Sequence, residues 1–184
     1  MNNELAFPAV LFDTETTGLL KTGMRAEHQP RITEIAAVRL NEKLKIVDEF
    51  QTLVNPEMSI PKDAADISGI TDALVKDAPV LSDAMPKFAE WILGARGLVG
   101  HNLQFDVDVM RWELHRVNMI ARFPWPMTHC CTLIAAMPIK GFRLNLTNLH
   151  TELLGKPFEG AHRAMEDVKA AHRCLIAMRK RKLI

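Results

Sequence analysis

The chain has 184 residues, 48% of them hydrophobic, and its 23 Lys and Arg nearly cancel 22 Asp and Glu; that size supports one core and a single domain over residues 1–184. The formal charge of +1 gives no global pull on a polyanion, so nucleic-acid binding would have to rest on local basic patches or bound metal. No apolar run suits a bilayer span, Asn2, Asn3 and Glu4 stand where a secretory signal would be basic, and Cys130, Cys131 and Cys174 lack a zinc-type spacing, so a soluble cytoplasmic protein with reduced thiols and no membrane contact is expected.

The first expected element is a strand over Ala9–Glu15, apolar through Ala9-Val10-Leu11-Phe12 and running into Asp13-Thr14-Glu15-Thr16-Thr17-Gly18-Leu19. Strand side chains alternate, which sends Asp13 and Glu15 to one side and Phe12 and Thr14 to the other. Two carboxylates about 5 Å apart repel by roughly 3 kcal/mol at an effective dielectric near 20. Such a pair calls for a cation, and the hard divalent ions Mg2+ and Mn2+, which take oxygen ligands beside a substrate phosphate, are the candidates.

The segment 18–30 follows, with Lys21, Arg25 and His28 either on a contact surface or on a disordered flap. Strands at Ile32–Leu40 and Ile46–Val54 then complete a meander. Residues 63–94 carry short helical patterns, with Met85, Phe88, Ala89 and Ile92 at helical spacing. Gly97–Gly100 is a short buried strand running into a helix that Asn102 can cap, with Phe105, Val109, Trp112 and Val117 on its apolar side and Trp112 assigned to the core. Asp106 falls in the first turns of that helix, close to the carboxyl end of the preceding strand, where open α/β sheets place their ligands. Asp108 points away. A further strand-to-helix passage near Thr128–Met137 and a helix at Asn145–Leu154, stopped by Gly155 and Pro157, lead to a last helix from about His162 to Arg181. Residues five apart on a regular helix diverge by about 140°, so His162 can share a pocket with Asp167 only by reaching in from a loop, which Gly160 makes available. His101 reads as structural, and the run Arg179–Lys182 as a solvated helix end. Strands first and mixed β/α later point to an α/β or α+β domain with a central mixed sheet flanked by helices.

Three acidic segments now stand in order: Asp13-Thr14-Glu15-Thr16-Thr17-Gly18-Leu19, His101-Asn102-Leu103-Gln104-Phe105-Asp106, and His162-Arg163-Ala164-Met165-Glu166-Asp167. With Arg31–Ala36, Val54-Asn55-Pro56 and Gly69-Ile70-Thr71 between them, the chain resembles the DnaQ-like, RNase H-related exonucleases of the DEDDh type. A sister type uses tyrosine in place of the histidine, and this chain has no tyrosine. Many relatives also carry an aspartate where this chain has Cys131, a position outside the metal-binding set.

The resemblance implies an α/β, RNase H-like fold with a central mixed five-stranded β-sheet flanked by α-helices. It implies a 3′-5′ exonuclease that hydrolyses terminal phosphodiesters to nucleoside 5′-monophosphates. Asp13, Glu15, Asp106 and Asp167 would hold two ions, Mg2+ or Mn2+, that act on the attacking and leaving oxygens. His162 would take the proton of the attacking water, and since a free imidazole titrates near 6.5 the activity is expected to rise above pH 7. Thr16, Thr17, Gly18 and Leu19 would seat the terminal nucleotide, with Leu19 wedged against its base, while Asn102 and Phe105 would meet the next one. The implied partner is nucleic acid with a free 3′ end, single-stranded DNA first, beside a polymerase or a second copy of the chain; an exoribonuclease and a non-catalytic binding module are the alternatives.

Overall fold

In the computed structural model, residues 4–184 are described, and the Asn2 and Asn3 used above lie outside them. The expected β-meander is present as β1 (Ala9–Thr16), β2 (Ile32–Leu40) and β3 (Ile46–Leu53). With β4 (Gly97–Gly100) and β5 (Thr128–Cys131) they form one five-stranded sheet in the order β3-β2-β1-β4-β5. Pairing is antiparallel through β1, β2 and β3 and parallel through β1, β4 and β5. Parallel neighbours need a crossover, and two are supplied. The first carries α1 (Lys62–Ser68), α2 (Asp72–Val75) and α3 (Leu81–Ile92); the second carries α4 (Leu103–Arg116). After β5 come α5 (Thr132–Ala135), α6 (Met137–Lys140), α7 (Leu146–Leu154) and the long α8 (Ala164–Lys180). This is the mixed, helix-flanked sheet the resemblance implied.

The alternation of β1 sorts its side chains between two cores. Val10 and Phe12 pack with Met85 and Phe88 of α3 and Met110 and Leu114 of α4. Ala9 and Leu11 pack with Val168, Ala171 and Leu175 of α8. Burial of each such large side chain contributes about 1.5–3 kcal/mol, which fixes α4 and α8 on opposite faces of the same strand. Asp13 and Glu15 continue the α8 face, and Thr14 continues the α4 face. A third cluster, including Leu149 and Leu153 of α7 with Cys174 and Met178 of α8, braces α8 from outside.

Three expectations change. The buried face of α4 is Leu103, Asp106, Val107, Val109, Met110, Glu113 and Leu114, whereas Trp112 is only half-buried and lies outside the core. Two acids thus sit on the inner stripe, which obscures its period. Asn102 occupies the position before α4 but in a left-handed conformation (φ 60°), and its side chain makes no capping bond. The last helix starts at Ala164, which leaves His162 in the preceding loop. Among the described residues there is no disulfide, all three cysteines are buried, and no helix is long and apolar enough to cross a membrane.

Candidate active site

The carboxyl end of β1 gathers acids from three elements. Asp13 and Glu15 of β1 and Asp167 of α8 each present a carboxylate oxygen, and the three oxygens lie within 4.8 Å of one another. Asp106 arrives from the opposite face: its Oδ1 accepts the Thr14 backbone N–H at 3.0 Å and the Thr14 hydroxyl at 2.8 Å. One strand end therefore carries carboxylate oxygens on both sides. Immediately beyond, the β1–β2 register shifts between Glu15 and Thr16, and such an irregularity turns the chain away from the ladder.

Burial, reinforced by Asp106, Asp167, Glu15 and Glu34, raises Asp13 well above the usual carboxylate range. Glu15 is pushed up to about 8 by burial and then by Asp167, Glu34 and Asp106. Burial takes Asp106 to about 7 against the lowering effect of the two Thr14 bonds. Asp167 reaches about 6, burial outweighing the His162 backbone bond. Asp167 Oδ1 is buried with no hydrogen-bond partner. Crowded acids that resist ionisation, one with an orphaned oxygen, form a donor set that fits a hard divalent cation.

His162 reaches this group from outside the helix. Gly160 (φ 74°) and His162 (φ 67°) both take left-handed conformations, and the His162 N–H donates to Asp167 Oδ2 at 3.3 Å. The imidazole of this exposed residue is available at the rim of the site. His101 is held between Thr132 Oγ1 and the Leu144 carbonyl, each at 3.0 Å, with burial pushing it down to about 4; this is the structural role expected of it.

The segment after Glu15 is shaped by its own bonds. Thr16 Oγ1 donates to the Gly18 carbonyl at 2.7 Å, while Thr17 N–H donates to the Arg31 carbonyl and Arg31 N–H to Thr17 Oγ1. Leu19 is left 78% exposed. The flap expectation fails because the loop is tied down twice. Gln29 bonds Lys21 and Met24 across it, and Arg116 of α4 donates to the carbonyls of Ala26, Gln29 and Pro30. Lys21, Arg25 and His28 stay exposed on its outer side. Asn102 is exposed near the start of α4, and Phe105 is half-buried against the core.

The sequence reading missed Glu34, Glu113 and the role of Thr14. Glu34, on β2, is directly opposite Glu15 and fully buried. Glu113, on α4, accepts the Ile32 N–H at 2.8 Å and pairs with Arg116 at 3.0 Å. A lone acid inside the apolar run Ile32–Leu40 was a visible signal, since a buried charge persists only with partners. Arg179 and Arg181 of the basic run bond the carbonyls of Glu42 and Leu153, which ties the end of α8 to the body of the protein.

The profile of a family described as Exonuclease matches residues 10–175. The chain is 34% identical over 174 residues to a PolC-type DNA polymerase III of Caldanaerobacter subterraneus, covering 92% of this chain and 11% of that one. It is likewise 34% identical over 175 residues to the DNA polymerase III subunit epsilon of Treponema pallidum, covering 92% and 74%. A solved exonuclease X in complex with 5′ overhanging duplex DNA superposes with a TM-score of 0.68 at 27% identity, covering 94% of this chain and 92% of that one. The chain spans about a tenth of the length of the PolC-type relatives.

Proposed function

The chain belongs to the exonuclease family of the DEDDh type, and from that premise we propose that it is a metal-dependent 3′-5′ exonuclease that removes nucleoside 5′-monophosphates from single-stranded DNA. The observation that carries this reading is the convergence of Asp13, Glu15 and Asp167 within 4.8 Å, with Asp106 held to the same strand end by Thr14. Asp13, Glu15 and Asp167 would hold one Mg2+ or Mn2+, and Asp106 with Asp13 a second. Bound there, the ions supply Lewis acidity, making a water nucleophilic near neutral pH and neutralising charge on the departing 3′ oxygen.

The protein's own groups do the rest. His162, carried on the left-handed turn beside Asp167, accepts the proton of the attacking water. Thr14 fixes the rotamer of Asp106 and, by hydrogen bonding, favours its ionised form. Leu19 offers an apolar surface to the terminal base, a contact that tolerates any sequence, and the Thr16–Gly18 turn sets its height. Likeness to polymerase III subunits supports DNA as substrate and a place beside a DNA polymerase, with residues 1–184 acting as one catalytic domain.

End-labelled single-stranded DNA and RNA oligonucleotides, incubated with Mg2+, Mn2+ or EDTA, test the proposal on the wild type and Asp13→Asn. The expected result is metal-dependent release of mononucleotides from the 3′ end, faster for DNA, and a loss of about a thousandfold in the variant. Equal degradation by Asp13→Asn would overturn the site, and binding of both substrates without turnover would make the protein a binding module.

A further inference from the structure

We propose that Glu34 is a positioning residue for hydrolysis: a carboxylate that holds the start of α8, and with it His162 and Asp167, against the sheet. The proposal rests on the exonuclease reading of the site above.

Glu34 stands next to the metal-binding acids without being free to join them. It lies directly across the ladder from Glu15, yet both its oxygens are engaged. Oε1 accepts Gln51 Nε2 at 2.8 Å and Arg163 Nη2 at 3.4 Å. Oε2 accepts Arg163 Nε at 3.3 Å and the Ala164 backbone N–H at 3.2 Å. The residue is 0% exposed, and a buried carboxylate that loses its partners is destabilised.

Those donors sit at one place in the chain. Ala164 opens α8, and Arg163 before it makes no side-chain cap, so the first orphan N–H of the helix is satisfied by a carboxylate from another element. The arginine fork adds a two-point grip with a fixed orientation. On one side of this anchor, His162 turns back in a left-handed conformation; on the other, Asp167 N–H makes the first helical bond to the Arg163 carbonyl at 3.0 Å. The phase of the helix at Asp167 and the exit direction of the His162 loop are therefore set at one point, from the neighbouring strand of the Asp13 and Glu15 strand. A metal-binding acid and a proton acceptor on different elements keep a common geometry only through such a joint, and a misplacement of about 1 Å can cost roughly 100-fold in rate.

The test compares the wild type with Glu34→Gln, Arg163→Gln and the double variant. Amide hydrogen exchange at Ala164 and across residues 162–167 reads the anchor without any catalysis, and kcat and KM on single-stranded DNA with Mn2+ read its consequence. Expected are exchange at least about tenfold faster at the start of α8 with β2 unchanged, kcat about 10- to 100-fold lower, and KM within about twofold. Because both substitutions break one joint, the double variant should lose no more than Glu34→Gln alone. Unchanged exchange, faster exchange with kcat intact, or losses that multiply in the double variant would each overturn the proposal. If the wild type itself releases no mononucleotide from either nucleic acid, it is the exonuclease reading that fails, and the exchange comparison alone decides whether Glu34 holds the loop.

Discussion

Thr14 donates two hydrogen bonds, from its backbone N–H and its hydroxyl, to a single oxygen of Asp106. Both favour the ionised acid against the burial that raises its pKa to about 7. Thr14→Val keeps the shape and removes the hydroxyl, so Asp106 should titrate higher still and stay protonated more of the time at pH 7. The expected outcome is a rise of several-fold in the Mn2+ concentration for half-maximal hydrolysis at pH 7, narrowing at pH 9. An unchanged metal requirement at both pH values would show that the hydroxyl does not tune Asp106.

The metal-free protein should become less stable as pH rises. Glu15 titrates at about 8, Asp106 at about 7 and Asp167 at about 6, all above the value near 4 of unfolded carboxylates. Between those limits the folded chain binds more protons than the unfolded one, so stability is fullest in acid and is lost as pH climbs through 6 to 8. Thermal melts in EDTA should show Tm falling by several degrees from pH 5 to 8.5, about 1 kcal/mol corresponding to roughly 2–4 °C at this size. Saturating Mn2+ should raise Tm more at pH 8 than at pH 5, and Asp13→Asn should melt higher than wild type in EDTA at pH 8. A Tm that rises with pH in EDTA would contradict the raised carboxylates.

Leu19 should separate binding from stability. Its exposed side chain supports little of the fold, whereas stacking against a base is worth about 1–3 kcal/mol. Leu19→Ala is expected to leave Tm unchanged and to weaken single-stranded DNA binding by about 5- to 100-fold. A melting loss without a binding loss would assign the residue to packing.

Arg116 should do the opposite. It ties three carbonyls of the 18–30 loop and pairs with the buried Glu113, and removing one partner of a buried pair costs about 3–5 kcal/mol. Arg116→Ala should lower Tm and open the loop to limited proteolysis near Lys21 and Arg25. A loop that stays resistant would mean that Gln29 alone secures it.

The first three strands were legible to within a residue because an apolar run ending in polar turns encodes a buried strand locally. The pairing of Asp13 with Glu15 was legible for the same reason, as it needs only the period of two. Asp106 and the loop position of His162 were legible from the strand-end rule and from helix spacing, but their convergence with Asp167 on β1 required the family resemblance, since no local rule brings α4 and α8 to one strand end. Glu34, Glu113 and Arg116 escaped because a sequence shows an acid or a cation but not the donors and acceptors that meet it across the fold. The inner face of α4 was misread at Trp112, where aromatic spacing outweighed a stripe containing two acids. For the 18–30 segment the sequence left a contact surface and a disordered flap both open, because the side chains that hold it, Gln29 and Arg116 on a distant helix, show no local signal.

The division of the acids between β1 and the two helices on its opposite faces bears on how the protein comes into being. During synthesis the strand bearing Asp13 and Glu15 is made before Asp106, and Asp167 follows only with α8, whose burial against β1 also closes the second core. Contacts this distant in sequence are slow to form, because loop-closure entropy must be met before they stabilise the chain. A nascent or C-terminally clipped chain would then carry Asp13 and Glu15 without Asp167, so the acidic cluster is complete only once the fold is closed.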